Sequence, residues 1–159
     1  VVSLWDSLFY VDEVVELDMS NFGLSGTIPP EIGSFINLGY LNLSNNNLNG
    51  AIPSALGDRT NLKYLNLSFN QLSGDIPHTI GNLMNLEEVR LFQNELTGSI
   101  PEEFGNLNDL IHLNLRNNNL NGFIPHTFGN LNSLKKRTLA TEPFPKMRIR
   151  YILTNYALF

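Results

Sequence analysis

Few side chains of this sequence are of the types that carry out acid–base or nucleophilic chemistry. The candidates are three histidines and two adjacent carboxylate pairs: His78, His112, His126, Glu87-Glu88 and Glu102-Glu103. Adjacent residues of a strand point to opposite sides, so neither pair offers two carboxylates to one substrate. The chain has no cysteine, which removes thiolate nucleophiles and Cys-based zinc sites. The sequence therefore predicts no catalytic residue, no metal site and no cofactor.

Aromatic and charged side chains recur at a spacing of 24 residues, and their types suit the binding of a protein or peptide. Aromatic and arginine side chains are the usual anchors of protein-binding surfaces. We expect the ligand-binding residues to be those at this spacing and at neighbouring outward positions: Tyr40, Tyr64, Glu88, Arg90, Phe92, His112 and Arg116. The elements that position them must repeat with the same period.

Nearly every residue class of the chain follows this period. One apolar column is Val14, Leu38, Leu62, Leu86, Leu110 and Leu134, and an Ile-Pro pair closes five successive units. A fixed period in this range predicts a solenoid, in which each coil buries its apolar face against its neighbours. The leucine spacing places one short strand in each coil, and these strands stack in parallel about 4.8 Å apart.

One asparagine of each unit falls where the backbone must turn after the strand. This column is Asn46, Asn70, Asn94 and Asn118, with Phe22 at the same place in the first unit. An amide side chain donates to carbonyl groups and accepts from an N–H group, so it can satisfy backbone groups that no sheet reaches. The sequence therefore predicts a structural ladder of stacked asparagines. The neighbouring Asn45, Asn47 and Asn49 are expected to face solvent.

The consensus LxxLxLxxNxLxGxIPxxLGxLxx, with its Gly-x-Ile-Pro element, resembles the plant-specific leucine-rich repeat over residues 14–136. Such repeats occur in ectodomains of plant receptor-like kinases and receptor-like proteins. Polygalacturonase-inhibiting proteins and some plant antifreeze proteins are similar. The resemblance implies an α/β fold, a right-handed solenoid with a parallel concave β-sheet, short 3₁₀ segments on the convex side and a second short strand near the Leu-x-Gly-x-Ile element.

This resemblance divides the chain into three parts. Residues 1–13 are a degenerate N-terminal cap without the family's paired cysteines, and residues 14–136 hold five full repeats and the start of a sixth. Residues 137–159 are a divergent basic tail, in which the sixth unit loses register because Arg137 stands where an inward leucine belongs. The tail carries a net charge of +3, so the remaining chain carries −8 when the total is −5. An acidic body argues against nucleic-acid binding.

The resemblance implies a non-catalytic extracellular recognition module, in the apoplast or at the cell surface as part of a membrane receptor. Its partners would be a peptide or protein ligand and a co-receptor. No run approaches 18 apolar residues, so the sequence predicts no membrane span. An inhibitor of a cell-wall-degrading enzyme, of the polygalacturonase-inhibiting type, is the first alternative.

Ice binding is the second alternative, and it concerns a different surface. The outward positions of the Leu-x-Gly-x-Ile element form a column of small hydrogen-bonding side chains: Ser25, Asn49, Ser73, Thr97 and Asn121. A flat array of such groups at strand spacing could order water, as is proposed for ice-binding solenoids. The repeat consensus itself favours Ser, Thr and Asn at these positions, which is the competing explanation of the column.

Two Asn-x-Ser sequons begin at Asn42 and Asn66, on the predicted concave strands. Such sequons accept N-linked glycans in secreted proteins. Glycans there would cover the second and third strands and direct binding toward Arg90, Phe92 and Arg116. The sequence LNLS recurs as part of the repeat, so repetition alone can account for both sequons without any glycan.

Overall fold

Each 24-residue unit folds into one coil of a solenoid, as the leucine spacing predicts. A computed structural model describes residues 2–5 and 7–138 of the chain. Within these residues each full coil has a strand in a large parallel sheet, a strand or bridge in a smaller parallel sheet, and one turn of 3₁₀ helix. No α-helix occurs in the described part of the chain. The predicted α/β leucine-rich-repeat solenoid is confirmed.

The large sheet is the predicted concave sheet, and its strands are three residues long. In the described residues they are Glu16–Asp18, Tyr40–Asn42, Tyr64–Asn66, Glu88–Arg90, His112–Asn114 and Lys136–Thr138. Each residue pairs with the residue 24 positions on, as in Tyr40 with Tyr64. The central residue of each of the first five strands points inward, and Leu41 and Leu65 are completely buried. Sequence-equivalent outward side chains therefore form straight columns.

The small sheet has a different register. Its strands in the described residues are Ser25–Thr27, Asn47–Gly50, Gln71–Asp75 and Glu95–Thr97, followed by an isolated bridge between Ser99 and Asn121. Here residues pair at an offset of 22, as in Thr27 with Asn49. Sequence-equivalent residues are therefore displaced by two residues along the strand, about 6.6 Å. A two-residue shift keeps each side chain on its own face of the sheet.

The 3₁₀ helices follow the Ile-Pro pairs, and each begins directly after or at a proline. They are Pro30–Ser34, Ser54–Asp58, His78–Asn82, Glu102–Asn106 and His126–Asn130. Successive helices approach so closely that the recurrent glycine leaves no room for a side chain. A Cβ added at Gly81 would lie 2.5 Å from the carbonyl oxygen of Glu103 in the next coil. The second glycine of the consensus is thus explained by packing.

The asparagine ladder is present and joins successive coils. The Asn94 amide nitrogen donates to the carbonyl of Leu91 in its own coil at 3.1 Å and to that of Leu67 in the preceding coil at 3.0 Å. Its Oδ1 accepts from the N–H of Leu72, also in the preceding coil, at 3.0 Å. The other members, Asn46, Asn70 and Asn118, make the same three bonds.

The ladder explains why the first unit has Phe22 instead of asparagine. Each ladder amide bonds groups of the coil before its own, and no coil precedes the first one in the described residues. An N-terminal hairpin, Val2–Leu4 with Ser7–Phe9, lies there instead. Leu4 is fully buried, and the Phe9 ring meets the Phe35 ring edge-on at 5.8 Å.

The large sheet extends past the predicted boundary at residue 136. Leu113 pairs with Arg137 and Asn114 with Thr138, so the backbone keeps its register where the sequence predicted its loss. The prediction was wrong at this point because ladder pairing depends on backbone groups and not on the side chain at the inward position. The rest of the predicted tail, 139–159, lies outside the described residues.

Replacing Asn94 with alanine should lower the free energy of unfolding by at least about 2 kcal/mol. The N–H of Leu72 would lose its acceptor, and a buried group left unpaired costs about 1–3 kcal/mol. The carbonyls of Leu67 and Leu91 would each lose one of two amide donors and keep the other, from Asn70 and Asn118 respectively. Chemical denaturation measures the change. The matched control is Asn47→Ala, because Asn47 is exposed, and it should change stability by less than about 0.5 kcal/mol. Equal losses in the two variants would contradict a special role of the ladder.

Candidate functional site

The large sheet brings the predicted ligand-binding residues onto one surface. Tyr40, Tyr64, Glu88 and His112 pair in succession and form the first outward column. Arg90 belongs to the second column, where it pairs with Asn66 and Asn114. Phe92 and Arg116 follow their strands by two residues and so point to the same side. The straight register of this sheet is what makes the cluster continuous.

Two tyrosines and an arginine form the first part of the cluster. The rings of Tyr40 and Tyr64 are stacked, with centroids 4.4 Å apart and planes inclined by 4°. The guanidinium carbon of Arg90 lies 5.6 Å from the Tyr64 ring centroid, within range of a cation–π interaction. Burial raises the pKa of the Tyr40 hydroxyl, and the neighbouring Tyr64 and Asp18 raise it further. The Tyr40 side chain therefore stays a neutral phenol.

Glu88 lies between Arg90 and His112 and contacts both. Its Oε1 accepts from the Nε of Arg90 at 2.5 Å, and its Oε2 lies 3.9 Å from the Nδ1 of His112. Burial, the largest single influence, lowers the pKa of Arg90, but the hydrogen bond to Glu88 and the electrostatic effects of Tyr64, Glu88 and Tyr40 together outweigh it, and the net shift is upward. The charges of Arg90 and Glu88 compensate each other. Arg116, which is exposed, makes no ion pair within residues 2–5 and 7–138.

Phe69 is part of this surface and was missed by the sequence reasoning. Its ring meets the Phe92 ring edge-on with centroids 5.0 Å apart, and 46% of Phe69 is exposed. Its φ is 55°, in the left-handed region that costs an ordinary side chain about 1 kcal/mol or more. The equivalent residues of the other coils share this conformation and are all amides: Asn21, Asn45, Gln93 and Asn117. That column was the signal available in the sequence, since asparagine tolerates positive φ and phenylalanine does not.

The two predicted glycosylation sites are covered. Asn42 and Asn66 are 9% and 6% exposed, although their column points outward. The Oδ1 of Asn42 accepts from the N–H and hydroxyl of Ser44, at 3.2 and 2.8 Å, and the Asn66 carboxamide does the same with Ser68. The serine of LNLS closes a local turn onto each asparagine, and this turn covers both amides. Glycosylation stays a prediction, and the cover over both amides disfavours it.

The N-terminal end of the surface is acidic. Asp18 takes the place of the turn-forming asparagine and accepts from the N–H of Ser20 at 2.9 Å and from the amide of Asn42 at 3.0 Å. The Ser20 N–H holds the pKa of the Asp18 carboxyl below its usual range despite the opposing effect of burial, so this group stays ionised. Glu16, in the first outward column, is exposed. These two carboxylates face the arginine-bearing end across the sheet.

The predicted ice-binding column does not form a straight row. The offset of 22 in the small sheet aligns its outward members with other residues: Ser25 with Asn47, Asn49 with Gln71, Ser73 with Glu95, Thr97 with Asp75, and Asn121 with Ser99. The Thr97 hydroxyl donates to the Asp75 carboxylate at 3.2 Å. The column prediction was wrong because it assumed the 24-residue offset of the large sheet. Two carboxylates, of Asp75 and Glu95, interrupt the array of small neutral groups.

The described part of the chain has neither clustered metal ligands nor a helix suited to a membrane. Among residues 2–5 and 7–138, no group of three or more His, Cys, Asp or Glu side chains is placed to hold a metal ion. His126 and Glu102 lie 3.8 Å apart on the 3₁₀ helices, as an exposed pair. In the same part of the chain, no helix has the length and apolarity that crossing a membrane requires.

Solved structures that resemble this chain include two plant peptide-hormone receptors. The receptor RGFR1, in complex with RGF2, is 39% identical over 79% of this chain and 19% of its own, with a TM-score of 0.73. The Arabidopsis receptor kinase HAESA, in complex with the peptide hormone IDA and the co-receptor SERK1, is 34% identical over 83% of this chain and 21% of its own, with a TM-score of 0.76. The chain thus spans about a fifth of each receptor chain.

A plant ice-binding protein is also similar, at 40% identity over 72% of this chain and 37% of its own, with a TM-score of 0.66. No curated protein sequence matches the chain. Family models described as leucine rich repeat match residues 13–35, 36–96 and 85–139. The repeat consensus, the two parallel sheets and these matches agree, and the chain belongs to the plant-type leucine-rich-repeat family.

Proposed function

We propose that the chain is a non-catalytic recognition module that binds a peptide or protein through the large sheet. The observation that carries the proposal is the cluster of Tyr40, Tyr64, Arg90, Phe69 and Phe92. Aromatic and arginine side chains dominate the energetics of protein interfaces because they desolvate large areas at a moderate cost in conformational entropy. Nothing in the fold requires such side chains here, since the core lies on the other side of the sheet.

The similar proteins support this function. RGFR1 and HAESA were each solved with a peptide hormone bound, and HAESA also with a co-receptor. By this likeness, the chain would act outside the cell, in the apoplast or on a membrane receptor of which it forms a part. A peptide ligand and a co-receptor are the proposed partners. The alternative function, inhibition of a cell-wall-degrading enzyme in defence, is supported by no further observation.

Ice binding is a second candidate, favoured by the likeness to a plant ice-binding protein. The staggered register and the carboxylates of Asp75 and Glu95 count against the surface first predicted for it. If the small sheet binds ice, wild-type protein should inhibit ice recrystallisation, and Thr97→Tyr should abolish that inhibition by raising a bulky ring above the surface. An unchanged activity in Thr97→Tyr would remove the small sheet from consideration.

The double substitution Arg90→Ala with Phe92→Ala should weaken binding of a protein or peptide partner by about 100-fold or more. Each of two hot-spot residues accounts for about 2 kcal/mol or more, and tenfold in affinity corresponds to about 1.4 kcal/mol. A partner is first isolated from plant apoplast extract on immobilised wild-type protein. Its affinity for wild type and variant is then measured by surface plasmon resonance.

The matched control carries two substitutions on the small sheet, Ser25→Ala with Asn121→Ala, and should bind the partner as wild type does. Both double variants should unfold at the temperature of the wild type, because all four side chains lie outside the core. Full-strength binding by Arg90→Ala with Phe92→Ala would show that the large sheet is not the binding surface. Loss of binding in the control would then transfer the function to the small sheet.

A further inference from the structure

The charges on the large sheet are separated along the solenoid axis. The carboxylates of Glu16 and Asp18 lie on the first coil, and the exposed guanidinium of Arg116 lies on the fifth. Between these ends, the opposite charges of Arg90 and Glu88 compensate each other, since the two side chains share a hydrogen bond. A ligand that lies across the strands therefore meets negative charge at one end, positive charge at the other and little net charge between.

An apolar pair, Phe69 and Phe92, interrupts this polar surface closer to the positive end, and the angle between its two edge-on rings is termed the notch. Phe69 belongs to the third coil and Phe92 to the fourth, and their edge-on rings leave an exposed apolar corner. Phe69 holds a left-handed backbone conformation for which the other coils use an amide side chain. Strain of this kind persists where it serves a function, because it does not serve stability. The notch is thus a candidate subsite for one apolar side chain of a ligand.

The distances between these features on the sheet set which positions of an extended peptide lie over them. Parallel strands lie about 4.8 Å apart, so the first and fifth coils are separated by about 19 Å. An extended peptide advances about 3.3 Å per residue, and its alternate side chains face the same way. Arg116 also lies two strand positions, about 6.6 Å, beyond the column of Asp18, so these two side chains are about 20 Å apart and ligand residues over them are six positions apart. The gap between the third and fourth coils falls at the fifth residue, which faces the sheet together with the first and seventh.

We propose that the large sheet binds an extended peptide segment with a basic residue at position 1, an aromatic or large aliphatic residue at position 5 and an acidic residue at position 7. Position 1 faces Glu16 and Asp18, position 5 enters the Phe69–Phe92 notch and position 7 pairs with Arg116. The segment lies across the strands in one of its two chain directions. This assignment rests on the proposed function and names the ligand chemistry that the function leaves open.

The first test uses synthetic peptides with blocked ends, titrated into the isotope-labelled protein by NMR. The probes are Lys-Ser-Gly-Ser-Phe-Ser-Asp and its reversed sequence, and one of them should bind with shifts centred on Phe69, Phe92 and Arg116. The control moves the aromatic residue to position 4, which faces away from the sheet, and should bind at least tenfold more weakly. Equal affinity of probe and control, or no binding of either probe, overturns the proposal.

A charge exchange tests the polarity of the site. Arg116→Glu should lower the affinity for the probe with the acidic end at least tenfold and should raise the affinity for a probe that carries lysine at position 7. Arg116 is exposed, so the substitution leaves the fold intact, which thermal unfolding verifies. If Arg116→Glu still prefers the probe with the acidic end, Arg116 does not pair with the residue at position 7.

Phe69→Asn separates a binding role from a structural one. Asparagine is the residue that other coils place in this left-handed conformation, so the variant should unfold at or above the wild-type temperature. It should nevertheless bind the phenylalanine probe at least tenfold more weakly, while a probe with alanine at position 5 should bind both proteins equally. A lowered unfolding temperature with unchanged affinity would assign Phe69 to the fold and overturn the notch.

Failure of this assignment is distinguishable from failure of the proposed function. Protein binding that depends on Arg90 and Phe92 can persist when the short probes do not bind, and then only the ligand chemistry is wrong. If the Arg90→Ala with Phe92→Ala variant also keeps full affinity for its partner, the large sheet as a binding surface is wrong as well.

Discussion

The bonds of the ladder asparagines hold successive coils together, and both sheets depend on them. Each amide bonds two carbonyl groups at the turn after the large sheet and one N–H group of the small sheet or its approach, and two of these three groups belong to the preceding coil. A solenoid has no contacts between distant coils, so its stability is a sum over neighbouring pairs. A fixed polar link between neighbours is therefore required at every interface. Asparagine provides it because its side chain combines a donor and an acceptor at fixed geometry.

The ladder also relates the two registers of the solenoid. The large sheet pairs residues 24 apart, whereas the ladder oxygen accepts from the residue 22 positions before, and the small sheet continues at that offset. The 3₁₀ helices keep the same stagger, since Gly81 packs against Glu103. Sequence-equivalent side chains consequently form columns only on the large sheet. A surface that needs an ordered array of like groups across coils is better served there than on the small sheet.

Function and stability compete at one edge of the large sheet. In the second and third coils this edge carries the local Asn-to-Ser turns, which bury polar groups. The fourth and fifth coils replace these serines with Phe92 and Arg116, and Phe69 of the third coil packs on Phe92 in a strained conformation. Exposed aromatic side chains at strained positions lower stability, and the regular ladder beneath them compensates. A rigid repeated scaffold can thus carry a variable surface, because outward side chains contribute little to the contacts between coils.

The sequence alone determined the period, the inward leucines, the asparagine ladder and the membership of the large-sheet columns, because all of these follow from a strict repeat and the alternation of strand residues. Its prediction of the ice-binding column was wrong, since no residue pattern reveals that one chain pairs at two different offsets. The cover over Asn42 and Asn66 was equally hidden, because it arises from local turns that compete with exposure. Only the tertiary structure placed Phe69 against Phe92, through a contact between coils that also required a left-handed backbone. Repetition is readable from sequence, whereas the lateral offset between coils is decided by packing and hydrogen bonding in three dimensions.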